Sequence, residues 1–331
     1  MKDPGAVHRR RSPAAVWVAL GVGVLGGCAY LVRDASVLYM KVNADLSGTE
    51  IEITLDKSFV RKYMDRVSIT TDFTVDDTRP APHSRYLDGD LHFAGRARDV
   101  GLPVVAEIAN AASVMPAVEL VNRFAGTGRP LRISGVWRIW AEHARRAEET
   151  QGEEVPPEAS HNPGHVFEIH PVTKLGGLRV VDTFRTIEGF IPGEARKTFA
   201  IFERVPCRIE VKDRQVAIVT RKGIYNNVEF LMEVVDDRQD EVEGGRFVMA
   251  SARDLRGDLV ADRLRMVFAD DTPPERAVRR LKRGGRLHVY GLPRINLAEV
   301  WKRALASRGD PSVLAKPLPY EIIIQGVFEN K

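Results

Sequence analysis

With two cysteines in 331 residues, the sequence has no disulfide framework available, so its folded part depends on a hydrophobic core. Glycine (27) and proline (19) fall short of low-complexity levels. Hydrophobic residues at 44% and charged residues at 28% exclude disordered, collagenous and disulfide-scaffold classes. There is no phosphate loop, no GxSxG elbow, no Cys/His nucleophile pair and no pair of catalytic carboxylates at a recognisable spacing. The Gly126–Pro130 stretch GTGRP is a helix stop and no evidence for nucleotide binding. The length corresponds to about two domains.

A charge excess of one sign is also missing once the net +4 is divided along the chain. Residues 1–33 carry +4, residues 34–172 carry −6 and residues 173–331 carry +6. A nucleic-acid binder concentrates basic charge on the module that binds, and the first half has none to spare. Nucleic-acid binding is therefore the least favoured function for the two domains.

What the first 33 residues do have is a leader. No charged residue occurs from Ser12 to Val32, and the run AAVWVALGVGVLGGCAYLV is long enough to cross a bilayer as a helix. Arg9, Arg10 and Arg11 precede it, which places the remainder of the chain outside the cytoplasm, periplasmic or on the cell surface. Leu25-Gly26-Gly27-Cys28 resembles a lipobox, which would make Cys28 a lipidation site, while the apolar Ala29–Val32 continuation suits an uncleaved transmembrane anchor. Either reading implies an anchored, extracytoplasmic protein. Cys207, in the apolar run CRIEV, is expected to be a buried inert thiol.

The body contains an internal repeat. Ala97-Arg98-Asp99 recurs as Ala252-Arg253-Asp254, LRISGVWRI from Leu131 recurs as LHVYGLPRI from Leu287, and Phe167-Glu168-Ile169 recurs as Tyr320-Glu321-Ile322. The order is the same and the spacing nearly constant. Each half reads as three strands, a helix and two more strands. The first helix covers PAVELVNRF, and the second covers ERAVRRLKR behind the capping box Thr272-Pro273-Pro274-Glu275. Another helix, LAEVWKRALAS, occupies the gap between the last two strands of the second half. The first half has instead the charged loop from Arg145 to Gly164.

This order resembles the OB-fold, a small Greek-key barrel, over residues 65–172 and 222–331. The chain as a whole resembles tandem OB-fold-like exported bacterial proteins of unknown function. The expected fold is mainly β: an anchor over residues 1–33, a first OB-like unit over 34–172 and a second over 173–331. Each unit carries an N-terminal β extension. OB-fold ligands bind at the loops joining strands one to two and four to five, so the Arg145–Gly164 loop is the expected point of functional divergence.

Six of the eight histidines fall between His83 and His170. Glu168 and His170 share a strand face, and with His143 at the end of the neighbouring strand they make a His/Glu set suited to zinc, the basis for a metal-dependent hydrolase. His161 and His165 bracket the loop, and with Phe93, Trp137 and Arg138 they are the residues expected to meet a ligand such as an envelope oligosaccharide. Arg138 and Arg294 are equivalent across the repeat, as are Glu168 and Glu321, which points to an ion pair in each half. Arg276, Arg280 and Arg283 would form one basic face of the second helix, suited to anionic lipid or to the acidic first half. The leading expectation is a membrane-anchored, extracytoplasmic binding or scaffold protein, non-catalytic, with an envelope protein or oligosaccharide as partner. The metal-dependent hydrolase is the first alternative.

Overall fold

The computed structural model describes residues 48–222, 226–307 and 315–328. The leader expected over residues 1–33, including Cys28, lies outside the described residues, and among these no helix is long and apolar enough to cross a membrane. The first half contains β1 (Glu50–Asp56), α1 (Lys57–Tyr63), β2 (Ser68–Thr78), β3 (Leu91–Ala97), β4 (Pro103–Ile108) and α2 (Met115–Phe124). It continues with β5 (Pro130–Ile139), β6 (Glu148–Thr150), β7 (Phe167–Leu175) and β8 (Leu178–Arg179). Next come β9 (Gly193–Glu194), α3 (Ala195–Phe202), β10 (Pro206–Val211), β11 (Gln215–Arg221), β12 (Val228–Val242) and β13 (Gly245–Arg253). The chain finishes with β14 (Leu259–Ala269), α4 (Pro273–Val278), β15 (Arg286–Ile295), α5 (Leu297–Ser307), β16 (Ala315–Pro317) and β17 (Tyr320–Val327).

Strict alternation builds the sheets: in β2, Ile69, Thr71, Phe73 and Val75 point inward while their neighbours are partly or fully exposed. The strands close into two five-strand barrels. In the first, β2 pairs with β3 and β5, β3 with β4, and β5 with β7; the parallel pair β4–β7 completes the ring. In the second, β12, β13, β14, β15 and β17 repeat that pattern, with β14–β17 as the parallel pair. A helix stands between the third and fourth strands each time, which is the OB-like order.

The repeat extends to register. Arg138 lies opposite Glu168 and Ile139 opposite Phe167, just as Arg294 lies opposite Glu321 and Ile295 opposite Tyr320. Gly135 and Gly291 hold equivalent places, each at a register shift against the last strand. A Cβ on Gly135 would lie 2.6 Å from Ile169 Cγ2, and one on Gly291 2.3 Å from the Ile323 carbonyl oxygen. The shared glycine is what lets the fifth strand approach.

The β extensions of the two halves join in one third sheet, ordered β16-β10-β11-β1-β6. The Arg145–Gly164 loop supplies β6 to it, running parallel to β1. All described residues belong to one compact unit. A core through the barrels and third sheet is joined by a second cluster that includes Val136, Phe247, Val267, Leu292 and Ile323.

One helix is shorter than its sequence predicts. Thr272 caps α4 by accepting from the Glu275 amide, yet the helix stops at Val278. The segment beyond turns toward β12: the Gly284 amide donates to Val234 O at 2.8 Å and the Val234 amide to Gly285 O at 2.9 Å. Arg276, Arg280 and Arg283 therefore do not share a helical face. The Glu275 carboxylate accepts from Arg246 and Arg279. Cys207 is buried on β10, and burial pushes its thiol pKa up to about 12.

Candidate functional site

The site begins with polar residues on strands whose surroundings are apolar. All six residues of β4 are buried, including its one acid, Glu107, which lies directly opposite His92 on β3. His170 and Glu168 sit on β7, and Asp90 precedes β3 on the β2–β3 connection. Phe190, between β8 and β9, and Tyr290 and Gln325 of the second barrel face this set. The cavity of about 280 Å³ is also lined by Asn226 and Asn227.

His170 lies at the centre. Its Nε2 stands 3.1 Å from Asp90 Oδ2, and its Nδ1 stands 3.3 Å from Glu107 Oε2 and 3.4 Å from Glu168 Oε2. His92 Nε2 is 3.1 Å from Glu107 Oε2. These separations are short, but His170 Nε2 and both ring nitrogens of His92 lack hydrogen-bond geometry to any partner. Asp90, Glu107 and His170 each offer one ligand atom, all within 4.8 Å of one another. Two ligands on one tetrahedral first-row ion stand about 3.3 Å apart, so the close His170–Asp90 pair has the spacing of ligands sharing an ion.

The electrostatics follow from burial and neighbours. Burial raises the Asp90 carboxyl to about 6, against the pull of His170. Burial would also raise Glu107, but the charges of His170 and His92 outweigh it and bring the group down to about 2. Burial opposes the charged form of His92, and Glu107 overcomes this, lifting it to about 9.

The set His143, Glu168 and His170 is not brought together as ligands. Arg138 binds Glu168 from the adjacent strand, so that burial notwithstanding, the carboxylate is held well below its ordinary range. His165 approaches the other Glu168 oxygen at 3.3 Å. His143 instead stacks on His165, with ring centroids 5.0 Å apart, and burial lowers its pKa to about 4. It lines the cavity, as does Asn162 beside His161. His161 Nδ1 is shielded and without a hydrogen-bond partner.

Phe93 and Trp137 are fully buried and present no ring to a ligand. Phe93 packs edge-on against Phe73 in the first barrel. Trp137 lies beneath the Arg294 guanidinium at 3.6 Å from the ring centroid and donates its Nε1–H to Arg66 O at 2.8 Å. Arg138 reaches the edge of the cavity, where its Nη2 donates to Asn226 Oδ1 at 2.8 Å, and its Nε donates to Pro293 O at 2.8 Å.

The second barrel is an internal control. Phe247 lies opposite Val267, and Ile323 stands two residues after Glu321, so these three occupy the places of His92, Glu107 and His170. They belong to the apolar cluster between the barrels. The fold thus closes equally well with apolar side chains at these positions, and the polar set in the first barrel is not a requirement of architecture. The β2–β3 connection differs as well: residues 79–90 join those strands, whereas Glu243 and Gly244 alone join β12 to β13. His83, Asp88 and Asp90 lie on that longer connection, at the first of the two ligand-binding loops of an OB-fold.

Sequence reasoning missed Asp90, His92 and Glu107. The available signal was the lone acid in the apolar run LPVVAEI. Compared with protein-family models and with curated proteins, the chain matches none.

Proposed function

We propose that this tandem-barrel protein binds a divalent first-row metal ion through Asp90, Glu107 and His170 and presents it to a small polar ligand in the interbarrel cavity. The observation that carries the reading is the buried His170, whose Nε2 has no hydrogen-bond partner 3.1 Å from a buried carboxylate. Three protein ligands facing a cavity leave an open coordination position, as in catalytic rather than structural zinc sites. One imidazole with two carboxylates suits zinc, manganese or iron. The chemistry such an ion supplies is activation of water for hydrolysis. A second reading, a binding or scaffold protein without turnover, is favoured by the amides of Asn162, Asn226, Asn227 and Gln325, which recognise polar groups but do not transfer protons. The leader supports placement of either activity outside the cytoplasm on a membrane anchor, with an envelope component as ligand.

Zinc titration of the metal-depleted full chain, followed calorimetrically, tests the metal. Wild type should bind zinc and His170→Gln should lose this ion, while His143→Gln should retain it. Equal zinc binding by wild type and His170→Gln overturns the assignment. Turnover of chromogenic phosphate and carboxylate esters by the loaded protein, abolished in His170→Gln, supports hydrolysis; loading without turnover of any ester supports the binding reading. For the leader, residues 1–40 fused to a reporter active only outside the cytoplasm should give membrane-bound activity, and a soluble cytoplasmic product defeats the placement.

A further inference from the structure

We propose that His83, Asp88 and His92 form a second divalent-metal site beside the first, so that the cavity holds a pair of ions with Glu107 between them. The inference rests on the metal reading of the first triad but is carried by different side chains. His83, Asp88 and His92 each offer one ligand atom, and these atoms lie within 4.8 Å of one another. The His83 and His92 rings are 4.4 Å apart between centroids, and His83 Nδ1 is 2.8 Å from Asp88 Oδ1.

The independent observation is His92. It is 7% exposed, and neither of its ring nitrogens has a hydrogen-bond partner. An imidazole buried with both nitrogens unsatisfied is costly unless something else engages it. An ion pair alone is a weak reason for keeping it, because Phe247 and Val267 fill the matching positions of the second barrel without any polar group. A metal ion supplies the missing partner.

Glu107 ties the two sites together. Its Oε2 is 3.1 Å from His92 Nε2 and 3.3 Å from His170 Nδ1, so one carboxylate faces a histidine from each triad. Asp88 and Asp90 are two residues apart on one connection, and Asp88 Oδ1 accepts from the Asp90 amide at 3.2 Å, which fixes one triad relative to the other. Both triads line the same cavity. Two neighbouring ions can clamp the attacking and leaving oxygens of an in-line displacement, which makes a phosphate ester the substrate class that suits the pair.

Stoichiometry decides the matter. The metal-depleted full chain is titrated with zinc alone, with circular dichroism confirming the fold of every variant. Two equivalents are expected in wild type and one in His83→Gln, a substitution at a half-buried position. Asp88→Asn should likewise keep one equivalent. Glu107→Gln should remove a ligand of the first ion and weaken the second, where Glu107 stands behind His92, by roughly 10–100-fold. In the cobalt-loaded chain, an electron paramagnetic resonance signal weaker than that of two isolated ions would report their coupling, and His83→Gln should restore the single-ion signal. One equivalent in wild type, lost in His170→Gln and kept in His83→Gln, overturns the second site while leaving the first. No zinc bound by wild type overturns both.

Discussion

Three carboxylates, three histidines and an arginine are buried on the outer face of the first barrel: Asp90, Glu107, Glu168, His92, His165, His170 and Arg138. Desolvating a charged group costs several kcal/mol, and apolar replacement of such networks is often neutral or stabilising by about 1–4 kcal/mol. The second barrel supplies the replacement set. His92→Phe, Glu107→Val and His170→Ile, made together with Asp90→Asn so that Asp90 is not left as a buried carboxylate without its histidine, should give a chain at least as stable as wild type in urea and unable to bind zinc. A loss of more than about 3 kcal/mol would show that the network is structural. His92 also imposes a pH dependence on the metal-free protein. Its folded pKa of about 9 exceeds the ordinary 6.5, so its contribution is complete below pH 6.5 and disappears as pH rises through 9. The melting temperature of metal-free wild type should fall across that window, and that of His92→Phe should fall less. At this scale the sequence was half legible. Arg138–Glu168 and Arg294–Glu321 could be read because the repeat prints each pair twice. Asp90, His92 and Glu107 could not, because cross-strand register and a loop without a counterpart bring them together.

Among the elements, the strand order was readable because inward residues alternate and each helix carries a start signal, proline at Pro116 and the Thr272 cap. The end of α4 was not, since the Val278 and Leu281 carbonyls accept from Gln239 on β12 and the Arg283 amide donates to Asp237, contacts no local pattern announces. The glycine shared by LRISG and LHVYG acquires its meaning only from the register shift it allows. Gly135→Ala and Gly291→Ala should each destabilise the fold by about 1–3 kcal/mol, measured by urea unfolding, because the new Cβ meets a neighbouring strand at less than contact distance. Gly177→Ala, where nothing lies within 4 Å, is the control and should change stability little.

For the whole molecule, the barrels meet through a reciprocal contact. Arg138 donates to the carbonyl of Pro293, and Arg294 donates to that of Trp137 at 2.9 Å, so each barrel's arginine binds the residue preceding the other's. Val136 and Leu292, also equivalent, pack in the cluster beside them. With the third sheet drawing strands from both halves, neither barrel has a surface complete without the other. Unfolding should therefore be one transition, with coincident urea curves from tryptophan fluorescence, which reads Trp137 and Trp140 in the first half and Trp301 on α5, and from circular dichroism. Two separated transitions would mean that the halves fold independently.

The third sheet also sets a timetable for biosynthesis. Asp56 at the end of β1 pairs with Gln215, 159 positions later. At 5–20 residues per second the ribosome needs roughly 8–32 s to deliver that partner. Throughout this interval the edge of β1 that faces β11 has unpaired backbone, beside the apolar side chains of Ile51, Ile53 and Leu55, the features that recruit foreign strands. Its sequence, EIEITLD, sets Glu50, Glu52 and Asp56 among them. Those acids make few buried contacts in the finished protein. Glu52 ends in an ion pair with Lys212 at 2.6 Å, and before that partner is made the same charges oppose strand-to-strand association.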